Sequence, residues 1–226
     1  MENNKRISIA IDGPAGAGKS TIAKLISKKL KIVYLDTGAM YRTVALKAIR
    51  QNIDTLDADK LSKLVKDIDI QVKHMNDEQR IYLDGEDVTD YIRTPEVSIG
   101  ASNVATIPEV RIKMVELQRE IASKCSVVMD GRDIGTYVLP NATLKIFLTA
   151  SIEERAKRRY NEQLSKGIDN VSYEEVKKDI EYRDKNDSSR AFAPLAKAED
   201  AVELDTTNMS IDEVVSKILG LIEGLC

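Results

Sequence analysis

Gly13-Pro14-Ala15-Gly16-Ala17-Gly18-Lys19-Ser20 satisfies the pattern G-x-x-x-x-G-K-[ST] at every fixed position. Each residue type in it has a physical task. The glycines let the backbone wrap with its N–H groups turned inward, forming a nest for phosphate oxygens. A helix beginning at Lys19 adds the positive end of its dipole. Lys19 brings a point charge to the β- and γ-phosphates, and the Ser20 hydroxyl is placed to ligate Mg²⁺. The competing reading is a bare glycine-rich strand-to-helix turn. It is disfavoured because the motif follows a strand-like run, Ile7 to Ile11, and opens a helical pattern, the context a phosphate loop requires. The segment therefore predicts a nucleoside triphosphate site.

Three further polar clusters bear on what happens to that nucleotide. Asp36-Thr37-Gly38-Ala39-Met40-Tyr41-Arg42 and Asp130-Gly131-Arg132-Asp133 each follow a short apolar run, at the edge where α/β sheets bind ligands. Asp36 or Asp130 alone would be an ordinary helix cap or turn residue. An arginine beside each favours a second phosphate site. The third cluster runs through Arg155, Arg158, Arg159, Arg183, Asp187 and Arg190. Residues 151–190 hold equal numbers of basic and acidic side chains, so this is no bulk basic patch. Phosphoryl transfer spreads charge over equatorial oxygens, which planar guanidinium forks suit. No Asn-Lys-x-Asp guanine reader occurs, which leaves a small-molecule kinase or a non-catalytic nucleotide sensor. His74, the one histidine, reads as a surface residue rather than a base or metal ligand.

The elements that must carry these residues are legible from periodicity. Ile22, Ile26 and Leu30 recur on one face of a helix after Lys19, Ile32 to Leu35 is a second strand, and a helix runs from about Asp36 to Gln51. Leu61, Leu64, Val65 and Ile68 mark a short helix. Strands at 70–72, 80–83 and 86–88, separated by Asn76-Asp77 and Asp84-Gly85, form a small antiparallel meander. Thr94-Pro95 and Pro108 open helices. Val127 to Asp130, Leu144 to Leu148 and Ala201 to Leu204 complete five core strands. Ser151 with Glu154, Ser172 with Glu175 and Ser210 with Glu213 have capping-box spacing. The expected fold is α/β, a five-stranded parallel sheet flanked by helices and interrupted by an insertion.

Composition narrows the class. The 226 residues are 42% hydrophobic and 31% charged, which excludes a disordered or membrane-embedded chain. A net charge of −3 offers no global field for nucleic acid or membrane, and the absence of Trp disfavours base-stacking platforms. Cys125 and Cys226 cannot build a disulfide framework, and residues 1–6 show no signal-peptide core, so the expectation is a cytoplasmic protein.

Ile11 to Thr21, Leu35 to Arg42, Asp130-Gly131-Arg132-Asp133-Ile134-Gly135-Thr136, and Arg183-Asp184 through Arg190-Ala191 together resemble the bacterial cytidylate kinases, over nearly the whole chain. Ser20 stands where some members have glycine. The resemblance implies a P-loop kinase fold and a monomer that turns ATP and CMP or dCMP into ADP and CDP or dCDP with Mg²⁺. It implies a core at 1–36, 108–150 and 188–226, a monophosphate-binding insertion at 37–107, and a helical lid at 151–187. Gly13, Pro14, Ala15, Gly16, Ala17, Gly18, Lys19, Ser20 and Thr21 would hold ATP. Arg42, Arg132 and Arg190 would clamp the CMP phosphate. Thr37, Ser102, Arg111 and Asp133 would form the cytosine pocket, and Tyr41, Arg183 and Asp187 the ribose side. Arg155, Arg158 and Arg159 would belong to the mobile lid. Lys19, Arg132, Arg158 and Arg159 would act on the transferring group. The alternatives are a P-loop kinase of UMP or shikimate type, which the meander disfavours for shikimate, and a nucleotide-binding regulator without turnover.

Overall fold

The computed structural model describes residues 6–75, 78–168 and 171–224. Its centre is a parallel sheet of β1 (Ser8–Asp12), β2 (Val33–Asp36), β6 (Val127–Gly131), β7 (Leu144–Thr149) and β8 (Val202–Asp205), in the order β2-β6-β1-β7-β8. The period-2 alternation of these strands sorts their side chains onto two faces. Ala10, Leu35, Val127 and Met129 face the layer containing α2 (Thr37–Arg50), α4 (Pro95–Val104) and α5 (Pro108–Lys124). Ile9, Ile11, Val128, Ile146 and Leu148 face α1 (Lys19–Leu30) and α8 (Ile211–Glu223). The five strands match the expected ones to within a residue or two at each end.

The antiparallel meander is β3 (Ile70–Met75), β4 (Glu78–Leu83) and β5 (Glu86–Asp87), preceded by α3 (Ala58–Leu64). Ile70, Ile81 and Leu83 join the same apolar cluster as α2, α4 and α5, so the small sheet has no core of its own. It is fastened to β2 by polar contacts from Gln79 and His74. The Asp36 N–H donates to Gln79 Oε1 at 2.8 Å, and His74 Nε2 donates to the Tyr34 carbonyl at 2.7 Å. His74 is exposed as expected, yet its ring ties the meander to the edge strand. The Asn76-Asp77 turn, residues 1–5 and Cys226 lie outside the described residues.

Helices α6 (Ile152–Ser165) and α7 (Tyr173–Ser189) form a pair with a separate small core of Ala156, Val176 and Ile180, which also takes in Ala15. Ser172 and Ser210 make reciprocal capping boxes with Glu175 and Glu213. Ser151 accepts from the Glu154 N–H, but the Glu154 carboxylate turns to Arg158 instead of closing the box. Among the described residues no helix is long and apolar enough to cross a membrane.

Candidate active site

The phosphate loop leaves β1 at Gly13, where a side-chain carbon would stand 1.9 Å from the Leu148 carbonyl oxygen. Only glycine lets the loop pass the neighbouring strand. Gly16 and Gly18 have φ of 77° and 87°, and Gly18 caps α1 without a side-chain bond, so the first N–H groups of α1 stay open to a ligand. Lys19 is buried, and its Nζ donates to the Pro14 carbonyl at 2.7 Å. Burial, then the nearby Arg132 charge, bring its pKa down to about 7.

Beside the loop, Ser20 Oγ donates to Asp130 Oδ2 at 2.7 Å and the Tyr34 hydroxyl donates to Asp130 Oδ1 at 2.8 Å. Asp130, next to last in β6, is buried and makes no ion pair among the described residues. Its carboxyl pKa is raised by burial and by the Asp36 charge. A hydroxyl and a carboxylate held together beside a phosphate loop are hard oxygen ligands suited to Mg²⁺, which keeps several waters and needs no all-protein cage. Asp130 was read from sequence only as a turn-or-site candidate. Its closeness to Ser20 depends on β6 lying beside β1, which spacing does not disclose.

The other strand ends supply the rest. Asp36 ends β2 and caps α2 by accepting from the Ala39 N–H at 2.9 Å, so the plain cap reading is correct as far as it goes. The same carboxylate also accepts from Arg42 Nη2 at 2.7 Å and Arg93 Nη2 at 3.4 Å. Burial raises its pKa, but Arg42 and Arg93 outweigh that and hold it below the usual range. Asp12 ends β1 and accepts from the Ile134 and Gly135 N–H groups at 2.8 and 2.7 Å. Burial pushes its carboxyl up to about 6. It thereby fixes the single π-helical turn Ile134–Val138 that follows Arg132 and Asp133. Asp12 and Arg93 lie outside the expected site residues, whereas Asp36 belongs to one of the polar clusters legible in the sequence; an aspartate near the end of each of three strands is the available signal.

Arg132 Nε donates to Asp187 Oδ2 at 2.5 Å, and Arg190 Nη1 lies 3.8 Å from Asp187 Oδ1. Burial raises the Asp187 pKa, while Arg132, Arg190 and Arg183 overcome it and keep the carboxylate ionised. Arg183 makes no ion pair among the described residues, and burial followed by Arg132 lowers its pKa to about 10. Buried Nε of Arg42, Nε of Arg183, and both Nε and Nη2 of Arg190 have no hydrogen-bond partner among the described residues. A buried guanidinium with orphaned donors is costly unless an acceptor completes it.

Deeper in the same cleft, Arg111 on α5 is almost wholly buried. It is hydrogen-bonded to Asp133 and stacked 5.5 Å from the centroid of the Tyr41 ring. Tyr41, expected with Arg183 and Asp187 on the ribose side, stacks on Arg111 in the same cleft as both. Ser102 on α4 is buried and receives the Asn186 side-chain amide at 3.4 Å. Thr37 Oγ1 donates to the Asp130 carbonyl at 2.7 Å.

Every expected site residue except Gly13, Pro14 and Arg155 lines one cleft of about 1900 Å³, larger than a single small-molecule pocket of ~300–1,000 Å³. The three lid arginines part company. Arg158 reaches over Gly18 and donates to Thr206 Oγ1 and the Thr206 carbonyl at 3.0 and 2.6 Å. Arg159 pairs with Glu162 near Arg183. Arg155 is buried outside the cleft and bonds to Ala150, Ala15 and Asp184.

Known proteins fit this architecture. The family model described as cytidylate kinase matches residues 9–224. A cytidylate kinase of Caldicellulosiruptor bescii is 55% identical over 217 residues, 96% of each chain, and one of Bacillus thuringiensis is 53% identical over 222 residues, 98% of each. Among solved structures, an uncharacterized protein from Eubacterium ventriosum aligns with TM-score 0.53 at 16% identity, over 97% of this chain and 99% of that one. A shikimate kinase from Bacteroides thetaiotaomicron aligns with TM-score 0.50 at 14% identity, over 96% and 98%. At those identities the two structures speak for the P-loop kinase fold alone. With the family model and the two curated relatives spanning nearly its whole length, the chain belongs to the cytidylate kinase family.

Proposed function

We propose that the chain transfers the γ-phosphoryl group of ATP to the phosphate of CMP or dCMP. The observation that carries this reading is the set of buried, unpartnered guanidinium nitrogens on half-buried Arg42 and Arg183 and on buried Arg190, all lining the cleft that holds the phosphate loop. Such a set calls for a second phosphate, and a second phosphate makes the acceptor a monophosphate. ATP lies along the loop 13–21, with Lys19 exchanging its Pro14 contact for phosphate oxygens. Ser20 and Asp130 would hold Mg²⁺, which would offset the charge of the donor phosphates when bound.

CMP binds with its phosphate on Arg42, Arg132 and Arg190 and its base toward Ser102, Arg111 and Asp133. Arg183 and Asp187 hold the ribose side. An oxygen of the CMP phosphate forms a bond to the γ-phosphorus as the bond from that phosphorus to the β–γ bridging oxygen breaks, and ADP leaves. The attacking atom is already an oxyanion, so no general base is required. Lys19 and the arginines, Arg132 foremost, stabilise charge on the transferring group. Arg158 and Arg159 approach it from α6, the helix that shields the reaction from water.

The experiment is a coupled ADP-release assay over CMP, dCMP, UMP and shikimate. CMP and dCMP should give a kcat/KM at least ~10³ above the other two, as expected where a site is built to hydrogen-bond one group. Comparable turnover of UMP or shikimate would assign a different acceptor.

A further inference from the structure

We propose that Asp184 and Arg155 are positioning residues of the phosphate loop, gripping Ala15 so that the α6–α7 pair sets the shape of the donor cradle. The Ala15 N–H donates to Asp184 Oδ1 at 3.0 Å, and the Ala15 carbonyl accepts from Arg155 Nη1 at 2.9 Å. The same Arg155 Nη1 donates to Asp184 Oδ2 at 2.5 Å, while its Nε is anchored on the Ala150 carbonyl at 3.0 Å. Both polar groups of one loop residue are thus held by an ion pair contributed by two different helices.

Packing repeats the grip. The Ala15 methyl belongs to the small core of Ala156, Val176 and Ile180 between α6 and α7. A side-chain carbon on Gly16 would lie 3.0 Å from the Arg155 carbonyl oxygen, so loop and helix run flush there. A surface ion pair between neighbouring helices would show none of this. The loop also needs outside support, because a backbone turned inward as a nest cannot bond to itself. Besides the contact from Gly18 into α1, its internal backbone bonding is one long contact, from the Ala17 N–H to the Pro14 carbonyl at 3.4 Å.

Two consequences follow for the reaction. Arg155 carries no charge to the substrate, since Asp184 pairs with it outside the cleft. The segment 151–187 is fastened near both ends, so any closing motion is confined to the stretch between Arg155 and Asp184. Helix α7 also faces both substrates at adjacent positions. Asp184 holds the donor loop, while Arg183 and Asp187, the latter through Arg132, stand on the acceptor side.

This rests on the loop being the ATP site, and the test separates the two claims. In Asp184→Ala, the KM for ATP should rise roughly tenfold or more, the loss expected for a charge-assisted bond. The dissociation constant for CMP should stay within about twofold. Asp184→Asn, which keeps one acceptor for Ala15, should fall between the two. Should Asp184→Ala fail to fold, Arg155→Lys is read the same way, and in the unmodified protein the Ala15 amide should resist hydrogen exchange before any nucleotide is added. Wild-type protein that binds no MgATP overturns the ATP reading itself. Wild type that binds ATP, with variants whose ATP and CMP constants move together or not at all, or a freely exchanging Ala15 amide, overturns the clamp alone.

Discussion

Lys19→Ala is expected to lower kcat by about three orders of magnitude or more, through lost charge stabilisation of the transferring phosphoryl group. The fold should survive it. Lys19 is buried against a single carbonyl, and its pKa of about 7 in the folded protein lies below the ordinary lysine value because burial, then Arg132, disfavour the charged form. The sign of the linkage follows. Between pH ~7 and ~10.5 the unfolded chain binds this proton more firmly than the folded one, so Lys19 makes stability rise with pH across that window. At neutral pH the buried cation opposes folding. Its removal should therefore raise rather than lower the melting temperature at pH 7 and flatten the rise in stability toward pH 10. ADP release gives the first quantity and calorimetry at several pH values the second. A variant with near-normal kcat would remove Lys19 from the chemistry.

Asp133→Asn should lower kcat/KM for CMP by about a hundredfold or more and narrow the CMP/UMP ratio. Cytosine presents its N4 amine as a donor where uracil presents an acceptor, and a carboxylate can receive only the former. Arg111, bonded to Asp133, can donate to cytosine N3 or O2. The rival idea is that Asp133 merely shapes the turn after Arg132. That turn already has its own support, since Asp12 binds the Ile134 and Gly135 N–H groups. Replacing Asp133 also strips a buried Arg111 of its counter-charge, a loss of ~3–5 kcal/mol in comparable buried pairs. Rates must therefore be referred to folded protein. Parallel falls for CMP and UMP, with the ratio unchanged, would reject base reading by this carboxylate.

What could be read from sequence were features whose spacing is local. The phosphate loop declares itself because its glycines, lysine and serine act within eight residues. Helix starts at Ser172 and Ser210 declare themselves because the capping partner sits three residues on. What could not be read depends on strand order. β6 lies between β1 and β2, and that placement brings Asp130 to Ser20 and Asp12 to the turn beyond Asp133. The separation of Arg155 from Arg158 and Arg159 was illegible for a related reason. On one helix they look alike, but α7 packs against only one side of α6, burying Arg155 against Asp184 and leaving the others at the cleft. The Glu154 box failed because Arg158, four residues on, competes for the carboxylate.

The central claim is that one cleft brings the γ-phosphate of ATP to the phosphate of CMP and excludes water from the transfer. Following ³¹P resonances of MgATP and CMP with the enzyme tests it most directly. The account predicts that ADP and CDP appear in equal amounts, with inorganic phosphate negligible until CMP is consumed. ATP that persists unchanged in the presence of CMP, or phosphate released without CDP, would contradict it.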